Sequence, residues 1–161
     1  MAPFLLRPAG TPAYLWRMDL FFALSLFLAS VPAAQPVERL SIESARGEQV
    51  FHVEVVKKEK DRNRGLMFRR HMAADHGMLF DYDPPQEISF WMKNTYIPLD
   101  IIFVGTDGRI ITIAANTKPL DQTPLPSNGV IRGVLEINGG LAAKLGIKVG
   151  DRVRHTLFEP R

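Results

Sequence analysis

Alternation of apolar and polar residues dominates the chain from about residue 37 onward. In "QVFHVEVV", Phe51, Val53 and Val55 point one way and His52 and Glu54 the other. That is the period of a half-buried strand. "GMLFDY", stopped by "DPPQ", predicts a second strand and "ISFWMK" a third. Pro98 separates the third from a fourth, "LDIIFV", because proline lacks an N–H and is confined to strand starts and edges. "TDG" is a tight-turn signal that returns "RIITIAAN" as a fifth strand. "GVIRGVLEIN" and "DRVRHTLF" complete the series.

Helical signals are few. The charged stretch after Val56 suits a short helix that Gly65 would end, and "GGLAAKLG" suits another with Gly146 as a left-handed C-cap. No regular alternation of strand and helix occurs. The pattern predicts an α+β, mainly β domain: a compact, antiparallel, barrel-like sheet of about seven strands with two short helices. Residues 48–161 form this single β-rich domain, and residues 34–47 form a leader with an edge strand, "VERLSIE".

The first 33 residues follow a different rule. Arg7 and Arg17 precede "LFFALSLFLASV", which carries no charge and is too short to span a bilayer comfortably. With "VPAAQP" behind it, the segment has the layout of a secretory signal peptide cleaved after Ala33. The alternative is an uncleaved anchor. The expected location is periplasmic or secreted, with no transmembrane span after cleavage.

Charge adds one local feature. Removing residues 1–33 takes away Arg7, Arg17 and Asp19, so the net charge falls from +3 to +2. Within residues 57–70 there are seven basic and two acidic side chains. Such asymmetry marks either a solvated helix face or an anion-binding face. Outside the cytoplasm, a small polar or anionic ligand or a cell-envelope component fits better than nucleic acid. The chain has no cysteine, which excludes disulfides, thiol catalysis and cysteine zinc sites. A monomer without a cofactor is expected.

The segment "FWMKNTYIPLD" sets Asp100 against an apolar run. A carboxylate there needs a partner or hydrogen-bond donors. A hairpin across Pro98 would bring Lys93, Asn94 and Thr95 to it. Glu136 in "VLEING" is the other embedded carboxylate, and Arg64 in "RGLM" is a guanidinium partner for either. Together Arg64, Lys93, Asn94, Thr95, Asp100 and Glu136 would form a mixed-charge pocket. Each also has a structural reading, as a turn former or an internal charge pair. The proline-rich stretch 117–128 is expected to border that pocket as a lid.

"RGLMFR", "GMLFDY", "FWMKNTYIPLDIIFV", "VLEINGG" and "GIKVGD" occur in that order. Over residues 50–155 they resemble the domain-of-unknown-function family numbered 192. The resemblance implies a compact β-rich fold and frequent export, and it brings no reaction and no cofactor. Two other functions remain open. One is a cell-envelope carbohydrate hydrolase using Asp100 and Glu136 as acid and base. No nucleophile motif, phosphate loop or HExxH supports an enzyme. The other is a periplasmic Cu(I) protein using Met67, Met78 and Met92 with His71 and His76, although methionines also fill cores.

Overall fold

The computed structural model describes residues 36–159. The expected signal segment and its cleavage point lie outside them. The elements run β1 Val37–Ser44, β2 Gly47–Val56, α1 Glu59–Arg64, β3 His76–Gln86, β4 Ser89–Phe90, β5 Leu99–Val104, β6 Ile110–Thr117, β7 Leu125–Pro126, β8 Ile131–Asn138, α2 Leu141–Leu145 and β9 Arg152–Arg154. A 3-10 turn, Thr156–Phe158, follows.

Seven strands form one curled sheet in the order β6-β5-β8-β3-β2-β1-β9, and β4 pairs with β7 separately. The sheet is a half-barrel. Its two edges meet at one end, where Val153 N–H donates to Gly108 O at 2.8 Å and Ile110 N–H to Asp151 O at 3.0 Å. Those bonds satisfy edge groups that would otherwise stay open. All pairings are antiparallel except β2 with β3. Parallel neighbours need a crossover. Here it carries α1 and the "RGLMFR" motif over one face of the sheet.

Alternation sorts the apolar residues into two cores. The first, inside the curl, includes Leu40, Ile42, Phe51, Val53, Leu79, Ile102, Leu135 and Ile137, closed by Ala142, Ile147 and Phe158. The second, on the opposite face, includes Met78, Phe80, Leu99, Ile101, Phe103 and Val134, covered by Leu66 and Met92. A sheet buried on both faces reads as a continuous apolar run, which explains "LDIIFV".

Two expectations are corrected. The stretch "VERLSIE" is a strand, but it lies between β2 and β9 rather than at an edge, with Leu40 and Ile42 fully buried. The third strand shrinks to Ser89–Phe90 and pairs with Leu125–Pro126, so no hairpin forms across Pro98. Strand β5 pairs instead with β6 and β8. Trp91 to Asn94 are released into a turn, closed by Thr95 N–H donating to Met92 O at 3.1 Å.

Candidate functional site

Strand register decides which carboxylates can meet. On β5 and β8, Ile101 pairs with Glu136 and Asp100 with Ile137. Paired residues share a face and successive residues alternate. Asp100 and Glu136 therefore lie on opposite faces of the sheet. They cannot act as an acid/base pair on one substrate, which removes the alternative hydrolase arrangement.

Asp100 has its own task. It is fully buried. Its Oδ1 accepts from Asn116 N–H at 2.6 Å and Gly140 N–H at 2.9 Å, and its Oδ2 from Ala142 N–H at 2.7 Å. Gly140 and Ala142 belong to the first turn of α2, whose free N–H groups need acceptors. The carboxylate thus caps that helix from a neighbouring strand and ties β6 to it. The "INGG" turn makes this approach feasible: a Cβ on Gly139 would stand 2.8 Å from Asn116 Oδ1 and 2.9 Å from Pro98. Asp100 is a structural knot, and Lys93 is not its partner.

Glu136 faces the second core, flanked in register by Met78 and Ile101. It forms part of the wall of a half-open cavity of about 180 Å³ shared with Arg64, Leu66, Phe80, Tyr82, Trp91 and Thr95. Glu136 Oε2 is buried with no hydrogen-bond partner among the described residues. Burial raises its pKa from 4.5 to about 8, against the opposing charge of Arg69. Arg69 is itself committed to Glu54 through bonds of 2.5 and 2.7 Å, so it does not neutralise Glu136 directly. At neutral pH Glu136 is mainly a carboxylic acid, with a proton to donate.

Two arginines of the crossover helix behave differently. Arg62 donates to the carbonyls of Lys57 and Asp81 and stacks 4.9 Å from the Tyr82 ring centre. Burial pushes the Tyr82 phenol up to about 12, with Arg62 opposing the rise and Glu136 adding to it. Arg64 is exposed at the cavity wall, and its guanidinium makes no ion pair among the described residues. Thr95 is buried, and its hydroxyl donates to Lys93 O at 3.3 Å.

Of the expected cluster, the structure brings together Arg64, Thr95 and Glu136. Lys93 stands outside, with Nζ 5.5 Å from the Trp91 ring centre. Asn94 shapes the turn at φ 56 and accepts Phe68 N–H at 2.8 Å. Sequence reasoning missed Tyr82, Trp91 and Phe80 as cavity walls. "GMLFDY" held the signal, since Phe80 and Tyr82 alternate with the same period as Met78.

The lid expectation fails. No residue of 117–128 lines this cavity. The stretch is a strap behind the 88–95 segment: Met92 N–H donates to Asp121 O at 2.8 Å, Leu120 N–H to Thr95 O at 3.1 Å and Ser127 N–H to Ile88 O at 2.9 Å. The copper alternative loses two of its five ligands. Met78 and Met92 are sealed in the second core, and Thr117 Oγ1 lies 3.1 Å from Met92 Sδ. Among the described residues no group of three His, Asp or Glu could hold a metal.

The model of a family of uncharacterised proteins, DUF192, described as "Uncharacterized ACR", matches residues 41–155. The chain belongs to the DUF192 family. No curated protein matches it. Among solved structures, it is similar to a protein of unknown function from Novosphingobium aromaticivorans, with 46% identity and a TM-score of 0.75 over 78% of this chain and 89% of that one. It is also similar to a candidate transcription regulator from Sinorhizobium meliloti, with 40% identity and a TM-score of 0.72 over 75% of this chain and 95% of that one. The second core and the cavity lie within the matched residues, and so does all of the sheet except the start of β1, while Leu40 and Phe158 of the first core flank them.

Proposed function

We propose that this DUF192 protein binds a small polar anion in the Glu136 cavity. The observation that carries this reading is the unpartnered, buried Glu136 Oε2 in a half-open cavity that also exposes the uncommitted guanidinium of Arg64. A buried polar atom without a partner is costly, and a ligand oxygen accepting the Glu136 proton would satisfy it. Arg64 supplies the charge for a carboxylate or phosphate. The ring of Trp91 offers a flat wall for a carbon skeleton. Drug-sized ligands occupy pockets of roughly 300–1,000 Å³, so a cavity of about 180 Å³ selects a smaller molecule. A hydroxy acid or sugar acid has the matching pair of groups. The signal-like N-terminal segment supports an extracytoplasmic setting, where such compounds meet the cell envelope.

The test uses a chain starting at Ala34, which retains every described residue. Its single tryptophan is Trp91. Titration with glucuronate and glycerol phosphate should change Trp91 emission saturably, while glucose and glycerol should not. Amide shifts should centre on Gly65, Thr95 and Glu136. Arg64→Ala should abolish the response. Absence of saturable binding by either anion, or equal binding of the uncharged compounds, would refute the reading.

A further inference from the structure

Three loops meet at residues 94–95, and each places a residue at positive φ: Phe68 at 65°, Asn94 at 56° and Leu120 at 64°. For asparagine this is ordinary. For a bulky residue it is a strained choice that persists only where the surroundings enforce it. Here Phe68 N–H donates to Asn94 O at 2.8 Å and Leu120 N–H to Thr95 O at 3.1 Å. The enforced backbone holds both side chains outward, with Phe68 53% and Leu120 56% exposed. Trp91 and Tyr96 stand on the same central loop, 51% and 42% exposed. These four are half of the large apolar side chains exposed among the described residues. Tyr96 packs edge-on against Phe68 at 6.2 Å.

Two of the three aromatics carry a cation. Arg70 lies 5.6 Å from the Tyr96 ring centre and Lys93 5.5 Å from that of Trp91. The one carboxylate on residues 66–70, 91–96 and 118–121 is Asp121, which accepts from the Thr123 N–H and hydroxyl at 2.9 and 2.7 Å. The patch is therefore apolar, aromatic and mainly cationic, with its single acid at the surface and hydrogen-bonded to Thr123. An acidic peptide would match the cations and leave the apolar groups without a counterpart. Aromatic rings with flanking Lys and Arg suit the boundary between headgroups and acyl chains.

From this geometry we infer that the face docks on an anionic lipid bilayer. Phe68, Trp91, Tyr96 and Leu120 sit at the headgroup level, and Arg70 and Lys93 meet lipid phosphates. The inference rests on the patch and holds whether or not the cavity binds a small anion.

The test again uses the chain starting at Ala34, which lacks the apolar run of residues 20–31. Vesicles of phosphatidylcholine mixed with phosphatidylglycerol should cosediment the protein and blue-shift Trp91 emission. Pure phosphatidylcholine vesicles should do neither, and added salt should release the protein. Each cation near an anionic surface is worth about fivefold in binding, so Arg70→Ala with Lys93→Ala should weaken it by about 25-fold. Phe68→Gly with Leu120→Gly removes the apolar groups while suiting the positive φ. That pair should lose vesicle binding with its thermal midpoint held or raised. Equal binding to neutral vesicles, or undiminished binding by either double variant, would overturn the inference. So would a Trp91 response to polyglutamate or a DNA oligonucleotide without any response to anionic vesicles.

Discussion

Glu136→Gln separates a proton donor from a charge at the base of the cavity. Burial moves the Glu136 pKa from 4.5 to about 8. At 1.36 kcal/mol per pH unit, keeping the group neutral at pH 7 costs about 3 kcal/mol, rising towards about 5 at and above pH 8. The folded state binds the extra proton between pH 4.5 and 8, so wild-type stability contributed by this group is full below 4.5 and falls as pH rises to 8. Glutamine is neutral throughout and nearly the same shape. The variant should match wild type near pH 4.5 and gain on it steadily, reaching up to about 3 kcal/mol at pH 7. Hydration through the half-open cavity makes that figure an upper limit. His155 titrates nearby in the opposite sense, because burial lowers its pKa against the pull of Glu38. Its contribution is common to both proteins and cancels in the difference. Urea unfolding across this pH interval, with m checked for constancy, measures the effect. Parallel profiles would show that Glu136 titrates alike in the folded and unfolded states and would remove the proton donor from the site. Ligand binding gives a second readout. The glutamine amide still donates, so anion affinity should survive and lose the decline that wild type shows as pH rises through about 8.

Three further outcomes follow from the same geometry. Asp100→Asn presents an NH₂ to one of three backbone donors, and hydrogen bonds to a charged group are worth about 1.5–3 kcal/mol each; a fall of about 3 kcal/mol in denaturant stability is expected, and an unchanged midpoint would contradict the knot. Arg132 is buried in an ion pair with Asp81, with Asp83 3.7 Å away; Arg132→Met alone should cost about 3–5 kcal/mol and Asp81→Leu with Arg132→Met distinctly less, as read by thermal unfolding of the single and double variants. A Cβ on Gly77 would meet Glu136 O at 2.7 Å, so Gly77→Ala should separate β3 from β8 and cost about 2 kcal/mol; amide exchange at Leu135 and Ile137 should rise with it.

Much of this protein is determined by the sequence alone. Strict alternation in "QVFHVEVV" fixes one inward face, Phe51, Val53 and Val55, without help from any other strand. The C-caps at Gly65 and Gly146 are local, since positive φ suits glycine wherever a helix stops. The membership in DUF192 is likewise a property of local motifs in order. What alternation cannot supply is register. Whether Asp100 and Glu136 share a face depends on the pairing of Ile101 with Glu136, and a slip of one residue would reverse it. The partner of Asp100 was illegible for a related reason. Its donors are backbone N–H groups of Asn116, Gly140 and Ala142, and backbone groups leave no mark in side-chain composition. The third strand failed because "ISFWMK" alternates well enough locally, yet Met92 N–H is taken by Asp121 O from the proline-rich strap. The strained outward placement of Phe68 and Leu120 is the clearest case. Both look like core residues by type, and only hydrogen bonds from distant loops hold them at positive φ, facing out.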